Sequence, residues 1–267
     1  MIAAVVQMTS GSDLARNLAR AGELIAAAAR AGARLVALPE NFPLLREEGA
    51  TGPNPHAQEV PGGPVLRFLS EQAATHRILL AGGTFPERIP DDPRVFNTST
   101  LFSPSGELLA LYRKIHLFDV DLPGAVLRES SRVAPGAELV VAKTDACTLG
   151  LSVCYDVRFP ELYRGLVERG AQVLLVPSAF TVPTGRDHWE VLLRARAIEN
   201  QCFVVAAAQW GAHNPSRHSY GRSLVIDPWG TVLCTVPDGE GYALAQLDFE
   251  RQADIRRRLP ALRHRRL

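Results

Sequence analysis

Residues 2–38 read IAAVVQMTSGSDLARNLARAGELIAAAARAGARLVAL, and the architecture of the whole chain is announced there. The run Ile2–Met8 is short and apolar, as a buried strand is. Asp13 stands as a helix N-cap, and Leu14, Leu18, Ala21, Leu24, Ile25 and Ala28 recur at helical spacing up to Arg30. Gly32 stops the helix. Leu35-Val36-Ala37-Leu38 is a second apolar strand, closed by Pro39. Strand, helix and strand in this order predict a parallel pair joined by a right-handed crossover.

The pattern returns further along. Phe42 to Pro64 is rich in proline and glycine, has no period, and reads as a surface loop. Val65–His76 reads as a helix and Ile78–Phe85 as a strand. Val95–Ser103 and Glu107–Tyr112 are strands joined by the hairpin signal Pro104-Ser105-Gly106. A second long loop is expected from Lys114 to Gly136. Then come a strand (Cys147–Cys154), a helix (Pro160–Arg169), a strand (Val173–Val176), a helix (Asp187–Gln201) and a strand (Cys202–Ala208). Strands at Ser223–Asp227, Thr231–Thr235 and Tyr242–Asp248 complete the order. The class is α/β, with helices outside mixed sheets. No stretch has the composition of a linker, so a single domain over residues 1–267 is expected.

Composition narrows the function. The chain of 267 residues is 46% apolar and 21% charged, which suits a folded protein and not a disordered one. A net charge of +1 argues against nucleic-acid or membrane-surface partners recognised through bulk charge. No apolar run approaches the roughly 18 residues of a spanning helix, and the N-terminus lacks a basic leader, so a soluble cytoplasmic protein is expected. Cys147, Cys154, Cys202 and Cys234 form no CxxC pair and are read as reduced thiols. The runs Arg256–Arg258 and Arg263–Arg266 have no interleaved aromatics and are read as a solvated tail or a subunit contact. Of the 29 basic residues only Lys114 and Lys143 are lysines, so a lysine here points to chemistry that guanidinium does not perform.

Glu40, Lys114 and Cys154 each follow a strand, where α/β folds place ligands. Singly, each has a plain structural reading. Together they make a general base, an electrostatic stabiliser and a nucleophile. A cysteine–histidine enzyme is the rival on residue types, with His116 or His188 partnering Cys154. A scaffold protein is the non-enzymatic one. There is no GxGxxG after a strand, no phosphate-loop lysine motif, no GxSxG and no HExxH, and no metal site is expected. Arg158, four residues after Cys154, is placed to grip a substrate carboxylate or to pair with Asp156 or Glu161.

The segments Leu38–Asn41, Tyr112–Phe118 and Cys154–Glu161 resemble the three catalytic motifs of the nitrilase superfamily of carbon–nitrogen hydrolases, in order and approximate spacing. The resemblance continues through Pro177–Phe180, His188–Glu190, Arg194–Asn200 and Asp227–Gly230, and covers essentially the whole chain. It implies a four-layer αββα sandwich that forms a homodimer or larger homo-oligomer. It implies Glu40, Lys114 and Cys154 as the catalytic triad, Glu129 as a second glutamate on the loop after the lysine, and the backbone N–H of Tyr155 as an oxyanion donor. Phe180 and Thr184 would line the substrate pocket beside Arg158. The expected substrate is a small acidic amide cleaved through a cysteine thioester, with no metal or organic cofactor. His188–Gln209 and Ser219–Ser223 most resemble the branch that cleaves the amide of a 2-oxoglutarate half with release of cysteinylglycine, the alternatives being the related branch that releases ammonia and another small-amide hydrolase of the family.

Overall fold

The computed structural model describes residues 1–46, 52–122 and 125–266. In chain order the elements are β1 (Ile2–Gln7), α1 (Leu14–Arg30), β2 (Leu35–Ala37), α2 (Pro64–His76), β3 (Leu79–Arg88), β4 (Val95–Phe102) and β5 (Leu108–Arg113). A short ribbon β6 (Asp119–Leu122) and β7 (Ala125–Arg128) follows, then β8 (Val133–Ala134), β9 (Val141–Lys143), β10 (Thr148–Leu151) and α3 (Pro160–Glu168). The second half continues with β11 (Val173–Leu175), α4 (Val182–Asn200), β12 (Phe203–Ala206), β13 (Trp210–Ala212) and β14 (His218–Tyr220). It closes with β15 (Leu224–Ile226), β16 (Val232–Thr235), β17 (Gly241–Gln246), α5 (Phe249–Arg258) and α6 (Ala261–His264).

Among the described residues the strands build two large mixed sheets. One runs β17-β1-β2-β3-β4-β5, with β8 beside β4; the other runs β16-β15-β12-β11-β10-β9. The opening crossover is parallel as expected, with Ala3, Ala4 and Val5 opposite Leu35, Val36 and Ala37. Successive side chains of a strand point to opposite faces. Ala3, Val5, Leu35, Ala37, Leu79 and Ala81 therefore pack inward against the second sheet, beside Leu149, Leu151, Val173 and Leu175. Ala4, Val6, Val36, Leu38 and Leu80 point outward beneath α1 and α2, onto Ala21, Leu24, Ile25 and Leu69. Both faces are buried, so the first strands read as continuous apolar runs and not as alternating ones. Helices α3 and α4 cover the second sheet through Leu162, Leu166, Trp189 and Leu193. The result is the four-layer αββα sandwich in a single domain.

The departures are local. Helix α4 begins at Val182 and not at Asp187, because Thr181 takes the N-cap position and Pro183 falls in the first turn, where a missing N–H costs nothing. The loop expected over Lys114–Gly136 contains the ribbon β6–β7 and a short 3₁₀ helix, Glu129–Ser131. The loop expected over Phe42–Pro64 is described except for residues 47–51. The first arginine run is not a free tail. It ends α5, where Arg256 donates to the carbonyl of Gln201 and to the Cys202 sulfur while Arg257 and Arg258 hold Asp254.

One glycine positions the site. Gly83 in β3 has φ +56°, and a Cβ there would lie 2.2 Å from the carbonyl oxygen of Pro39. Only a residue without a side chain lets β3 pass so close beneath the turn that presents Glu40.

Candidate active site

The ends of both sheets meet at Cys154. Glu40 comes from the turn after β2, Lys114 directly follows β5, and Cys154 opens a 3₁₀ helix (Cys154–Arg158) after β10. Cys154 has φ +48°, a left-handed conformation that is uncommon for a residue with a side chain. The turn is held by its backbone: the Cys154 N–H donates to the Pro177 carbonyl at 2.9 Å and the Asp156 N–H to that of Val153 at 3.0 Å. A helix start leaves its first N–H groups without intrahelical acceptors, and Tyr155 supplies one such group beside the thiol.

Lys114 bonds two carboxylates at once. Its Nζ donates to Glu40 Oε1 at 3.1 Å and to both oxygens of Glu129 at 2.9 Å. Glu129 is thus brought into the site by its side chain, and the Phe118 N–H fixes its Oε2 at 2.6 Å. Lys114 is 2% exposed and Glu40 3%, so these charges face each other and not water. Asn97 Nδ2 also donates to Glu40 Oε1 at 2.8 Å. With two donors on Oε1, the carboxylate lies close enough to the Cys154 thiol for its charge to raise the thiol's pKa.

Burial pushes the Cys154 thiol well above its usual pKa, and the charge of Glu40 adds to this; Lys114 and the Ala179 N–H pull the other way without prevailing. At rest Cys154 is a thiol beside the Glu40 carboxylate. Burial alone pulls the Lys114 ammonium down, but Glu129, Glu40 and Cys154 outweigh it and hold the group charged, well above the usual lysine value. A raised pKa does not single out Cys154, since burial lifts Cys147, Cys202 and Cys234 to about 11. What sets Cys154 apart is a carboxylate and an ammonium within reach.

The thiol lies on the floor of a cavity of about 930 Å³, with Glu40, Lys114 and Glu129 beside it and Thr181, Val182 and Pro183 on one wall. Arg158, Phe180 and Thr184 gather beside the nucleophile turn but are not among the residues lining this cavity. Arg158 takes neither of the ion pairs left open for it. Its guanidinium lies 5.6 Å from the ring centres of both Tyr155 and Phe180 and approaches His188 Nδ1 at 3.3 Å. Phe180 is packed on Trp189, ring centres 4.9 Å apart, and Thr184 bonds Thr181 Oγ1 at 2.8 Å in the first turn of α4. The early start of that helix takes Thr184 out of the loop and into the capping turn.

The histidines are engaged elsewhere. His116 stacks on Phe159 at 3.7 Å, and its Nδ1 faces Asp156 at 2.7 Å. Asp156, fully buried, also accepts from the Tyr112 hydroxyl at 2.6 Å and from the N–H groups of Val153 and His116 at 2.8 and 3.0 Å. It clamps the segment after Lys114 onto the turn that carries Cys154. Sequence reasoning missed Asp156 as a clamp, Asn97 and the Ala179 N–H. A buried acid two residues after the nucleophile was the available signal for the first; nothing local marks the other two. Among the described residues no three His, Cys, Asp or Glu side chains cluster as a metal site, and no helix is long and apolar enough to cross a membrane.

A family model for carbon–nitrogen hydrolases matches residues 2–257. The deaminated glutathione amidase of Synechocystis sp. is 45% identical over 99% of this chain and 97% of its own length. The omega-amidase of Mus musculus is 39% identical over 98% of this chain and 94% of its own. The crystal structure of Saccharomyces cerevisiae Nit3, described as a member of branch 10 of the nitrilase superfamily, superposes with a TM-score of 0.89 at 33% identity, covering 100% of this chain and 97% of that one.

Proposed function

Because the chain belongs to the carbon–nitrogen hydrolase family and is a hydrolase of non-peptide carbon–nitrogen bonds, we propose that it cleaves deaminated glutathione to 2-oxoglutarate and cysteinylglycine, with Cys154 as nucleophile. The observation that carries the chemistry is a thiol beside Glu40, itself bonded to Lys114, with all three lining one cavity. The relatives of this chain include a deaminated glutathione amidase, and that supports the substrate. So does the volume: about 930 Å³ is at the upper end of the roughly 300–1,000 Å³ usual for ligand pockets, and far more than 2-oxoglutaramate fills.

The steps follow from the contacts. Glu40 takes the thiol proton as Cys154 Sγ attacks the amide carbonyl. Lys114 Nζ and the Tyr155 N–H stabilise the oxyanion; one such donor is worth about 10²–10³ in rate. Glu40 returns the proton to the departing nitrogen, the carbon–nitrogen bond breaks, and a thioester remains. Water deprotonated by Glu40 then releases the acid and restores the thiol. General acid–base help of this kind contributes roughly 10²–10⁴-fold. Glu129 holds Lys114 charged and oriented through both cycles.

Release of 2-oxoglutarate is measured from deaminated glutathione and from 2-oxoglutaramate in parallel. A larger kcat/KM on the first is expected. Preference for the second would transfer the assignment to the omega-amidase reading, which the 39% identical mouse protein favours. No release from either would remove the substrate assignment. The reading includes self-association of the chain. Val191 and Ile198, two turns apart on α4, are 67% and 50% exposed, and Trp229, next to the Gly230 that lies against Ile198, is 57% exposed. Light scattering is expected to give a dimer or larger for the wild type and a monomer for Val191→Glu; a wild-type monomer would remove this part.

A further inference from the structure

The walls of the cavity carry positive charge that the chemistry on its floor does not use. Among the described residues the carboxylates lining it are Glu40 and Glu129, and both are committed to Lys114. Arginines line it as well, and Arg46 donates to the Gly52 carbonyl. Arg94 is held by both oxygens of Asp92, and Arg128 by Asp121 and two backbone carbonyls. Arg132 is solvent-exposed, where water satisfies a guanidinium. Arg217 is different: it is half-buried in the cavity wall, and its guanidinium has no acceptor among the described residues. A partly desolvated guanidinium without an anion is an unfilled binding group.

Its backbone is fixed. The Asn214 side chain accepts from the N–H groups of Ser216 and Arg217 at 3.0 and 2.8 Å, and the His213 N–H donates to the Arg217 carbonyl at 2.9 Å. The ribbon β13–β14 that bears it is stitched to the Glu40 flank of the site. Gln209 Nε2 donates to the Glu40 carbonyl at 3.0 Å, His213 Nδ1 meets the Ser10 carbonyl at 2.8 Å, and Ser10 Oγ donates to the Phe42 carbonyl at 2.8 Å. Lys114 links Glu40 to Glu129, which follows the other ribbon, β6–β7. Glu40 gives its proton to the departing nitrogen, so the leaving group passes over the flank where Arg217 stands.

We infer that Arg217 is the carboxylate anchor of the leaving-group subsite, gripping the C-terminal carboxylate of a peptide-like amine and setting the preference for such a leaving group over ammonia. This rests on the substrate reading above. Cysteinylglycine ends in a carboxylate, and ammonia has none. A guanidinium fork takes a carboxylate through two parallel hydrogen bonds, which a lysine does not reproduce.

The test is a cycle of enzyme against substrate. Wild-type, Arg217→Ala and Arg217→Lys proteins are assayed on deaminated glutathione, on the same compound with its glycine carboxylate converted to a carboxamide, and on 2-oxoglutaramate. Arg217→Ala is expected to lower kcat/KM on deaminated glutathione about 10–100-fold, mainly through KM, the range a charge-assisted contact supplies. It should change the other two substrates less than about twofold, with Arg217→Lys in between. An equal loss on acid and carboxamide, or no loss on either, overturns the anchor. A wild type inactive on deaminated glutathione overturns the substrate reading and the anchor with it, and a wild type that cleaves acid and carboxamide equally well overturns the anchor alone.

Discussion

The Cys154→Ala protein is expected to fold normally and to release 2-oxoglutarate at least about 10⁴-fold more slowly than the wild type, since a nucleophile removed from a concerted set costs about as much as the whole set. The fold should survive because the change deletes one sulfur on the cavity floor, and alanine tolerates the left-handed backbone no worse than cysteine does. Cys154→Ser should be nearly as inactive. A buried hydroxyl is a far weaker acid than a thiol, and the Glu40–Lys114 pair is arranged to receive the proton of a thiol. Mass spectrometry of wild-type protein quenched during turnover should reveal the 2-oxoglutaryl thioester on Cys154, absent from both variants. A Cys154→Ala rate within a hundredfold of wild type would remove the cysteine from the mechanism.

Lys114→Met should be damaging in two separable ways. Losing an oxyanion donor is expected to lower kcat about 10²–10³-fold. Losing the cation also leaves Glu40 and Glu129 without a counter-ion, and breaking a buried pair from one side costs about 3–5 kcal/mol. The pH dependence distinguishes these effects. The raised pKa of Lys114 means that its stabilisation is full below the unfolded lysine value of about 10.4 and is lost only as pH rises through the folded one. Between pH 5 and 8 the wild-type contribution is therefore constant. In the variant, two unpaired carboxylates would bind protons more readily folded than unfolded, so its stability improves as pH falls. Urea melts should give a larger deficit at pH 8 than at pH 5. A deficit of the same size at both, or none, would contradict the buried charge triad.

The difference between what could and could not be read in advance follows the reach of each interaction. The opening strand–helix–strand unit was legible because N-cap, helical spacing and stop all lie within residues 2–38, and the parallel register is as expected. Glu40, Lys114 and Cys154 were legible as strand-end residues and through the motifs around them. Glu129 could be named as a candidate, but its engagement depends on a hydrogen bond to Lys114 across a ribbon that had read as loop. Arg158, Phe180 and Thr184 were placed by the same motifs, yet the start of α4 at Val182 and the packing of Phe180 on Trp189 put them beside the cavity and not on its lining. Asn97 looks like any polar residue in a strand until β4 is laid beside Lys114.

By itself the sequence determined the α/β class through local periodicity and capping, and the chemical types in the site and the family through contiguous motifs, the family resemblance in turn implying the four-layer order. Only the tertiary structure decided the electrical state of that site. Lys114 and Glu40 are 74 residues apart and Gln209 and Glu40 are 169 apart, and neither pairing leaves a trace in the residues between. Burial by both sheets makes Cys154 a thiol at rest, Glu129 and Glu40 hold Lys114 charged against that same burial, and Arg217 is left half-desolvated without an anion among the described residues. Solvation is a property of the assembled molecule: the same side chains in an extended chain would be hydrated, unpaired and chemically ordinary.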